Sequence, residues 1–145
     1  MGMAASGRGI IPEGIWVMNP ARSQRLVEGT HTLWIVRDDG SELIFASVET
    51  DTEGAIKLTS WQGSYDGPAA EVIGSGMMAQ LTSPAPGEML ITGDIPGMGS
   101  FSEHCVLAAD GKRLRCTGRI ETGDGPVGYV DDFDWFSATP APLGA

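Results

Sequence analysis

The sequence FSEHCVLAADGKRLRCTGRI, residues 101–120, contains the pattern that decides the fold. Asp110 and Gly111 lie at its centre, and an Asp-Gly pair is typical of a two-residue β-hairpin turn, which needs positive φ angles. With this turn, Cys105 faces Cys116 across the two strands. One face then holds a mainly apolar set: Phe101, Glu103, Cys105, Leu107, Leu114, Cys116, Gly118 and Ile120. We therefore predict a β-hairpin with its apolar face turned inward.

The rest of the chain repeats this pattern of short strands and turns. Alternating or apolar runs cover residues 14–18, 30–37, 42–49, 55–62, 71–74, 77–82, 88–94, 101–109, 114–121 and 127–136. A single short helical turn is predicted over 20–26, with Asn19 as N-cap and Pro20 at its first position. We predict an all-β protein, one antiparallel up-and-down β-barrel of about 8–10 strands, because closure removes exposed sheet edges.

Composition supports a single globular domain and limits the partners. The chain has 145 residues, with 21 Gly and 9 Pro, which argues against a mostly helical protein. We place the barrel domain at 13–137, between a flexible N-terminal segment 1–12 and a flexible C-terminal tail 138–145. A formal charge of −10 disfavours nucleic acid and anionic membrane surfaces as partners. With only two cysteines and no secretory signal, we expect a cytoplasmic protein.

Several motifs resemble those of small bacterial lipocalin-like (calycin-type) β-barrel domains. The chain opens with Gly14-Ile15-Trp16 and Asn19-Pro20-Ala21-Arg22-Ser23, and later contains Gly63-Ser64-Tyr65-Asp66-Gly67 and Ala109-Asp110-Gly111-Lys112, followed by Thr117-Gly118. The resemblance covers nearly the whole chain. It implies a barrel that holds a small apolar molecule and a Trp16 that plugs the closed end. It implies no single activity, since a minority of such proteins are enzymes.

Glu103 is the first candidate for chemistry. It lies on the apolar face of the hairpin, opposite Gly118, which leaves space beside it. Burial without a cation would raise the pKa of this carboxyl group and suit it to proton transfer. Alternatively, Glu103 lies at the wet rim of the barrel and is inert. A single β-bulge would exchange the faces and turn His104 inward instead, so Glu103 and His104 are competing candidates.

The strands before residue 64 have two apolar faces. With turns at Asp39-Gly40 and Glu53-Gly54, one face collects His31, Leu33, Ile35, Ile44, Ala46, Val48, Thr59 and Trp61; the other collects Trp34, Val36, Leu43, Phe45, Ser47, Glu49, Ile56 and Leu58. We assign the face with His31 and Trp61 to the cavity, because one histidine among aliphatic residues resembles a ligand-orienting group. Alternatively, His31 lies at the open end of its strand. The remaining face packs on the chain's ends or forms a homodimer.

The last strand offers a second carboxylate. Val127, Tyr129, Asp131, Phe133 and Trp135 share one phase and are predicted to face inward, whereas Asp132 and Asp134 face outward. Asp131 among aromatic residues is an acid–base candidate, unless the three aspartates form a solvated charge run.

Cysteine and glycine patterns indicate neither a metal nor a cofactor. Cys105 and Cys116 are predicted to be free thiols, because a two-residue hairpin loop makes them a hydrogen-bonded pair, which is poorly suited to a disulfide. The two histidines and two cysteines lack zinc-ligand spacing. The glycine-rich segment 93–99 has no phosphate-binding pattern, and we interpret it as a loop at the barrel mouth where Met98 adapts to a ligand.

Two functions from different classes fit these residues. The first is binding of a small apolar or aromatic molecule in the barrel. Its candidate ligand-binding residues are Trp34, Trp61, Tyr65, Met98, Phe101, Tyr129, Phe133 and Trp135. The second is a cofactor-independent lyase, isomerase or cyclase that pairs a carboxylate, Glu103 or Asp131, with an imidazole, His31 or His104. A third, weaker interpretation is a scaffold without a ligand.

Overall fold

A computed structural model describes residues 10–138, and this part of the chain folds into ten antiparallel strands. The strands are β1 (Gly14–Met18), β2 (His31–Asp38), β3 (Glu42–Thr50), β4 (Ile56–Ser64), β5 (Ala70–Val72), β6 (Met77–Thr82), β7 (Glu88–Ile95), β8 (Gly99–Leu107), β9 (Arg113–Thr122) and β10 (Gly125–Ser137). Each predicted run overlaps one of them, so the all-β prediction is confirmed.

These strands form one sheet that curls into a nearly closed barrel. The strand order is β4-β3-β2-β1-β10-β9-β8-β7-β6-β5, so consecutive strands are neighbours and β1 pairs with β10. The two outer strands meet where Ser60 of β4 and Ile73, just after β5, exchange backbone hydrogen bonds of 3.0 and 2.8 Å. The predicted up-and-down barrel is confirmed, and closure leaves little sheet edge to pair with another chain.

The predicted helical turn is shorter than expected. A 3₁₀ turn covers Pro20–Arg22, and the side chain of Asn19 accepts a 2.9 Å hydrogen bond from the backbone N–H of Ala21. The cap and the position of the proline match the prediction. The turn ends early because Gln24 forms an isolated β-bridge with Val130.

The β8–β9 hairpin has the predicted register. Phe101 faces Ile120, Glu103 faces Gly118 and Cys105 faces Cys116. The outward residues of these strands, including His104, are solvent-accessible, whereas Glu103 is buried. The hairpin therefore turns its carboxylate into the barrel.

The prediction of free thiols is wrong, because Cys105 and Cys116 form a disulfide. The backbone N–H of Ala108 donates to Arg113 O at 2.8 Å, so the loop has four residues instead of two. This longer loop shifts the hydrogen-bond alternation by one position. Cys105 and Cys116 therefore form a non-hydrogen-bonded pair with Cα atoms 4.0 Å apart. Disulfides persist mainly in oxidising compartments, so cysteine usage no longer supports the expected cytoplasmic location.

Two loops differ from the turns predicted between β2, β3 and β4, and one of them changes which residues share a face. The β2–β3 loop is Gly40 and Ser41, since Asp39 N–H bonds Glu42 O. This moves the register by two residues and keeps the faces. The β3–β4 loop has three residues, ending with Gly54 at φ 86°, between Asp51 and Ala55. An odd loop length reverses the faces of β4.

As a result, Trp61 faces inward with Trp34 and Phe45, and our assignment of the His31 face to the cavity is wrong. Ile56 and Leu58, predicted to share a face with Trp34, point outward and are exposed.

Residues before β1 close one end of the barrel. Ile11 is 2% exposed, and its N–H and that of Ile10 both donate to Oδ2 of the buried Asp38. Trp16 is fully buried, and its indole N–H donates to Pro12 O at 2.9 Å. Thus residues 10–12 of the predicted flexible segment are packed against the barrel. Residues 1–9 and 139–145, which make up the rest of the two predicted flexible ends, lie outside the described residues.

Within residues 10–138, no helix is long and apolar enough to cross a membrane.

Candidate functional site

Two adjoining cavities lie inside the barrel. The inner cavity, of about 240 Å³, has mainly apolar walls formed by Trp34, Phe45, Val72, Met77, Ile91 and Phe101. Its polar groups belong to Ser47, Glu49, Thr59, Glu103 and Tyr129. The outer cavity, of about 310 Å³, leads toward the β1–β2 connection and is lined by Arg25, Leu26, Val27, Thr30 and Asp131. Glu49, Ile120 and Tyr129 line both cavities. A ligand in the inner cavity would therefore lie next to the outer one.

Tyr129, Gly118 and Glu103 form a row across three strands. Gly118 of β9 pairs with Tyr129 of β10 on one side and with Glu103 of β8 on the other. A Cβ atom on Gly118 would lie only 2.0 Å from Cζ of Tyr129, so the tyrosine ring occupies the space that the glycine leaves. The ring spans the middle strand, and its hydroxyl donates a 2.7 Å hydrogen bond to Oε1 of Glu103.

The environment of Glu103 raises the pKa of its carboxyl group to near neutral pH. Its side chain is buried in the barrel, and burial raises its pKa from 4.5 to about 7. The hydrogen bond from Tyr129 opposes this rise, the negative charge of Asp131 adds to it, and the charge of Arg25 again opposes it. Burial and the neighbouring Glu103 also raise the pKa of Tyr129, which therefore stays a hydrogen-bond donor.

Arg25 organises the outer cavity. Its guanidinium donates to Oδ1 of Asp131 at 2.6 Å and to Oε2 of Glu49 at 2.9 Å. The hydroxyls of Thr30 and Thr32 accept two further bonds, at 3.0 and 2.8 Å. Burial raises the pKa of Asp131, and the bond from Arg25 opposes that rise. One cation is thus held between two carboxylates at the mouth of the inner cavity.

The predicted carboxylates both face the interior, and the predicted histidines do not. Glu103 is 8% and Asp131 6% exposed, whereas His31 and His104 lie on the outer surface. The His104 ring contacts Oε1 of Glu88, also on the outside, at 2.6 Å. His31 faces outward because β2 presents its other face to the core. The expected carboxylate–imidazole pair is therefore not formed.

The residues predicted to bind a ligand, seven aromatic residues and Met98, divide into three groups. Trp34, Phe101 and Tyr129 line the inner cavity. Phe133 is fully buried and stacks on Trp34, with ring centroids 4.2 Å apart. Trp61 is buried in the wall, where its indole N–H donates to Ala70 O at 3.1 Å.

The third group lies away from both cavities. The Tyr65 hydroxyl donates to Oδ2 of Asp38 at 2.7 Å, at the closed end. The Trp135 indole donates to Glu13 O at 3.1 Å, also near that end. Met98 lies in the β7–β8 turn at the mouth end and is 52% exposed, but it lines neither cavity.

The acidic run in β10 is less solvated than its charge suggests. Asp132 has the predicted outward phase, yet it is buried beneath Arg22 and Arg115, whose nitrogens lie 3.0 and 3.2 Å from its carboxylate. Arg22 also pairs with Asp134. These contacts tie the 3₁₀ turn to the outside of the barrel.

Two residues of the cavities were not predicted from the sequence as site residues, Arg25 and Glu49. Glu49 has the same phase as Phe45 and Ser47 in β3, so strand alternation alone could have placed it in the interior. Arg25 lies in an irregular segment, where no periodic pattern indicates direction. Only tertiary structure brings it to Asp131.

A cluster with the composition of a metal site lies beside the inner cavity. Ligand atoms of Glu103, Cys105 and Cys116 lie within 4.8 Å of one another. The two sulfurs are bonded to each other, so neither is a thiolate, the form in which cysteine binds metals. In this oxidised form the donor set does not suit a metal ion.

Comparison with known proteins adds one finding about the fold. No protein-family model matches the chain, and neither does any curated protein. Among solved structures, the chain is similar to the zebrafish ileal bile acid-binding protein complexed with cholic acid. The TM-score is 0.58 at 9% sequence identity, and the match covers 86% of this chain and 98% of that chain. The two proteins share a fold. The resemblance to bacterial lipocalin-like domains stays a prediction.

Proposed function

We propose that this protein binds a small apolar or aromatic molecule inside its barrel. The observation that carries the proposal is the inner cavity itself, a space of about 240 Å³ with aromatic and aliphatic walls and few polar groups. Binding sites for small molecules commonly combine apolar walls with a few oriented polar groups. The outer cavity adds about 310 Å³, so a ligand can extend toward the mouth.

The similar zebrafish structure supports this proposal. Its title describes a bile acid-binding protein complexed with cholic acid. At 9% identity the contacts with the ligand are not expected to be the same, so the proposal rests on the residues of this chain.

Individual residues have distinct roles in the proposed complex. Trp34, Phe45 and Phe101 provide contact area, and Glu103 with Tyr129 orients a polar group of the ligand. Arg25 holds the β1–β2 connection against the mouth through Asp131 and Glu49. Acid–base catalysis is the weaker alternative, since neither histidine reaches the cavities.

Titration calorimetry with a neutral aromatic probe, naphthylethanol, tests the proposal. Ala79 is buried in the wall of the inner cavity, so Ala79→Phe fills part of that space. We expect this variant to bind at least about tenfold more weakly than wild type, because it displaces the probe. Ala55→Phe, at an exposed position, is the matched control. Equal binding by both variants would contradict the proposal, as would a wild type that binds neither this alcohol nor its amine and carboxylate analogues.

We also propose that the outer face of β2–β4 associates with a second copy of the chain. Five large aliphatic residues are exposed on this side: Ile35, Ile44, Ile56, Leu58 and Ile73. Contiguous apolar surface of this kind commonly marks an interface. Light scattering should find a dimer that Leu58→Lys dissociates, whereas Thr117→Lys on the outer face of β9 should not. A monomeric wild type would overturn this assignment.

A further inference from the structure

In the inner cavity, one oxygen of the Glu103 carboxyl group has no hydrogen-bond donor among the described residues. Oε1 of Glu103 accepts the hydrogen bond from Tyr129. Oε2 lies 3.8 Å from Sγ of Cys105, and this sulfur carries no proton because it belongs to the disulfide. Among the described residues 10–138, no other side-chain or backbone donor bonds Oε2. Since buried polar groups normally have partners, a donor from a ligand would complete this site.

The charges around the cavities favour a cationic ligand. Arg25 is the only cationic residue among the described residues lining either cavity. Its guanidinium is already engaged by Asp131 and Glu49, with Thr30 and Thr32 accepting two more of its N–H groups. The carboxylates of Asp131 and Glu49 therefore already outnumber the one cation, and Glu103 adds a further negative charge when it is ionised. An anionic head group would find no free cation here and would meet an excess of negative charge.

The aromatic walls fit the same ligand class. Trp34, Phe45, Phe101 and Tyr129 all line the inner cavity together with Glu103. Aromatic faces attract ammonium groups through their quadrupole, and the attraction increases when water is excluded. An apolar body packs on the same rings.

We propose that the cavity selects hydrophobic amines, whose protonated nitrogen donates to Oε2 of Glu103 while the apolar body packs on Trp34 and Phe45. This inference rests on the proposed binding function and specifies its ligand class. It also distinguishes the chain from a binder of carboxylate ligands. Ionised Glu103 is the binding partner, so amine affinity increases with pH.

Several charged or titratable groups face Glu103 and enter this pH dependence. Tyr129 and Asp131 lie on β10, Glu49 on β3, and Arg25 on the β1–β2 connection. The first remains a neutral donor, and the other three form the ion network at the mouth. Glu103 itself changes charge near neutrality, because burial raises its pKa to about 7.

Three probes with one naphthyl body test the inference by calorimetry: naphthylethylamine, naphthylethanol and naphthylacetate. At about pH 8 we expect the amine to bind at least about tenfold more tightly than the carboxylate, because a charge-assisted hydrogen bond replaces like-charge repulsion. Glu103→Gln should weaken amine binding about tenfold more than it weakens alcohol binding, because glutamine keeps a hydrogen-bond acceptor but removes the charge. Glu71→Gln, at an exposed strand position, is the control and should change neither.

A second measurement needs only the wild-type protein. Amine affinity should increase about tenfold between about pH 5.5 and pH 8, while alcohol affinity stays flat. Carboxylate binding equal to or tighter than amine binding, or pH-independent amine binding, would overturn the selectivity and leave the binding function in place. If none of the three probes binds, the proposed function itself fails.

Discussion

Tyr129 reaches Glu103 across an intervening strand, and its hydroxyl lies 2.7 Å from Oε1 of the carboxyl group. The contact exists because Gly118, between them in the sheet, has no side chain. The ring thus covers the backbone of β9 and places a neutral donor beside a buried acid. This row links the strand register directly to the polar group of the cavity.

Gly118→Ala should disrupt this row. A Cβ atom would lie 2.0 Å from Cζ of Tyr129, so the ring must move away from β9. Because core overpacking of this kind is destabilising, we expect a loss of about 1–3 kcal/mol in the free energy of unfolding. Urea denaturation measures it. Gly123→Ala is the control, since a Cβ there meets no atom within 4 Å. Similar losses for both variants would show that Tyr129 does not occupy the space beside Gly118.

Glu103 should make stability depend on pH in a specific direction. The unfolded carboxyl titrates near its usual 4.5, and the folded one near 7. Between these values the folded state holds a proton that the unfolded state has released, so the unfolding free energy decreases as pH rises. This decrease in the unfolding free energy begins above about pH 4 and is complete above about pH 8.

Glu103→Gln removes this titration and provides the reference. Relative to the variant, wild type should lose about 2–3 kcal/mol of stability between about pH 5 and pH 8. Urea denaturation of both proteins at the two pH values gives this difference directly. A difference that stays constant with pH would mean that Glu103 titrates alike in the folded and unfolded states.

The sequence predicted the site best where alternation and turns agreed. In β8 and β9 the pairing of Glu103 with Gly118 followed from the position of the Asp110-Gly111 turn alone. Between β3 and β4 the same reasoning failed, because one additional loop residue reversed the faces of β4 relative to β3 and placed Trp61 on the face with Phe45 instead of the face with Ile44. A turn signal gives the place of a hairpin, but loop length, which sets the faces, depends on hydrogen bonds that residue types do not specify.

Arg25 illustrates the part of the site that the sequence could not predict. It lies outside the strands, and its partners Asp131 and Glu49 are distant in the chain. The local sequence does not determine whether the side chain of Arg25 points to solvent or into the barrel, because its neighbours follow no strand or helix periodicity. Its position results from the buried charge of Asp131, which requires a partner.

Arg25→Met should therefore destabilise the protein strongly near neutral pH. It leaves the buried Asp131 without its cation, and breaking a buried ion pair costs about 3 kcal/mol or more. The loss should shrink as the pH falls from neutral to about 5, because removing Arg25 raises the pKa of the buried Asp131 further, and a protonated carboxyl group needs no cation. Thermal unfolding at both pH values measures this.

The exposed pair of Arg37 with Glu13 provides a matched control. Arg37→Met should cost less than about 1 kcal/mol at either pH. If Arg25→Met behaves in the same way as this control, Arg25 does not hold the mouth of the cavity.

The disulfide between Cys105 and Cys116 should stabilise the barrel and block both thiols. Its sequence separation is 11, and closing a loop of this length lowers the entropy of the unfolded chain, which stabilises the folded state by about 3 kcal/mol at room temperature. Reduction by a phosphine should therefore lower the urea midpoint of wild type but not that of a Cys105→Ala/Cys116→Ala variant. Alkylation in denaturant, followed by mass spectrometry, should label neither cysteine before reduction and both afterwards. Labelling before reduction would contradict the disulfide and would show the free thiols expected from a two-residue loop. Sγ of Cys105 could then donate a hydrogen bond to Oε2 of Glu103.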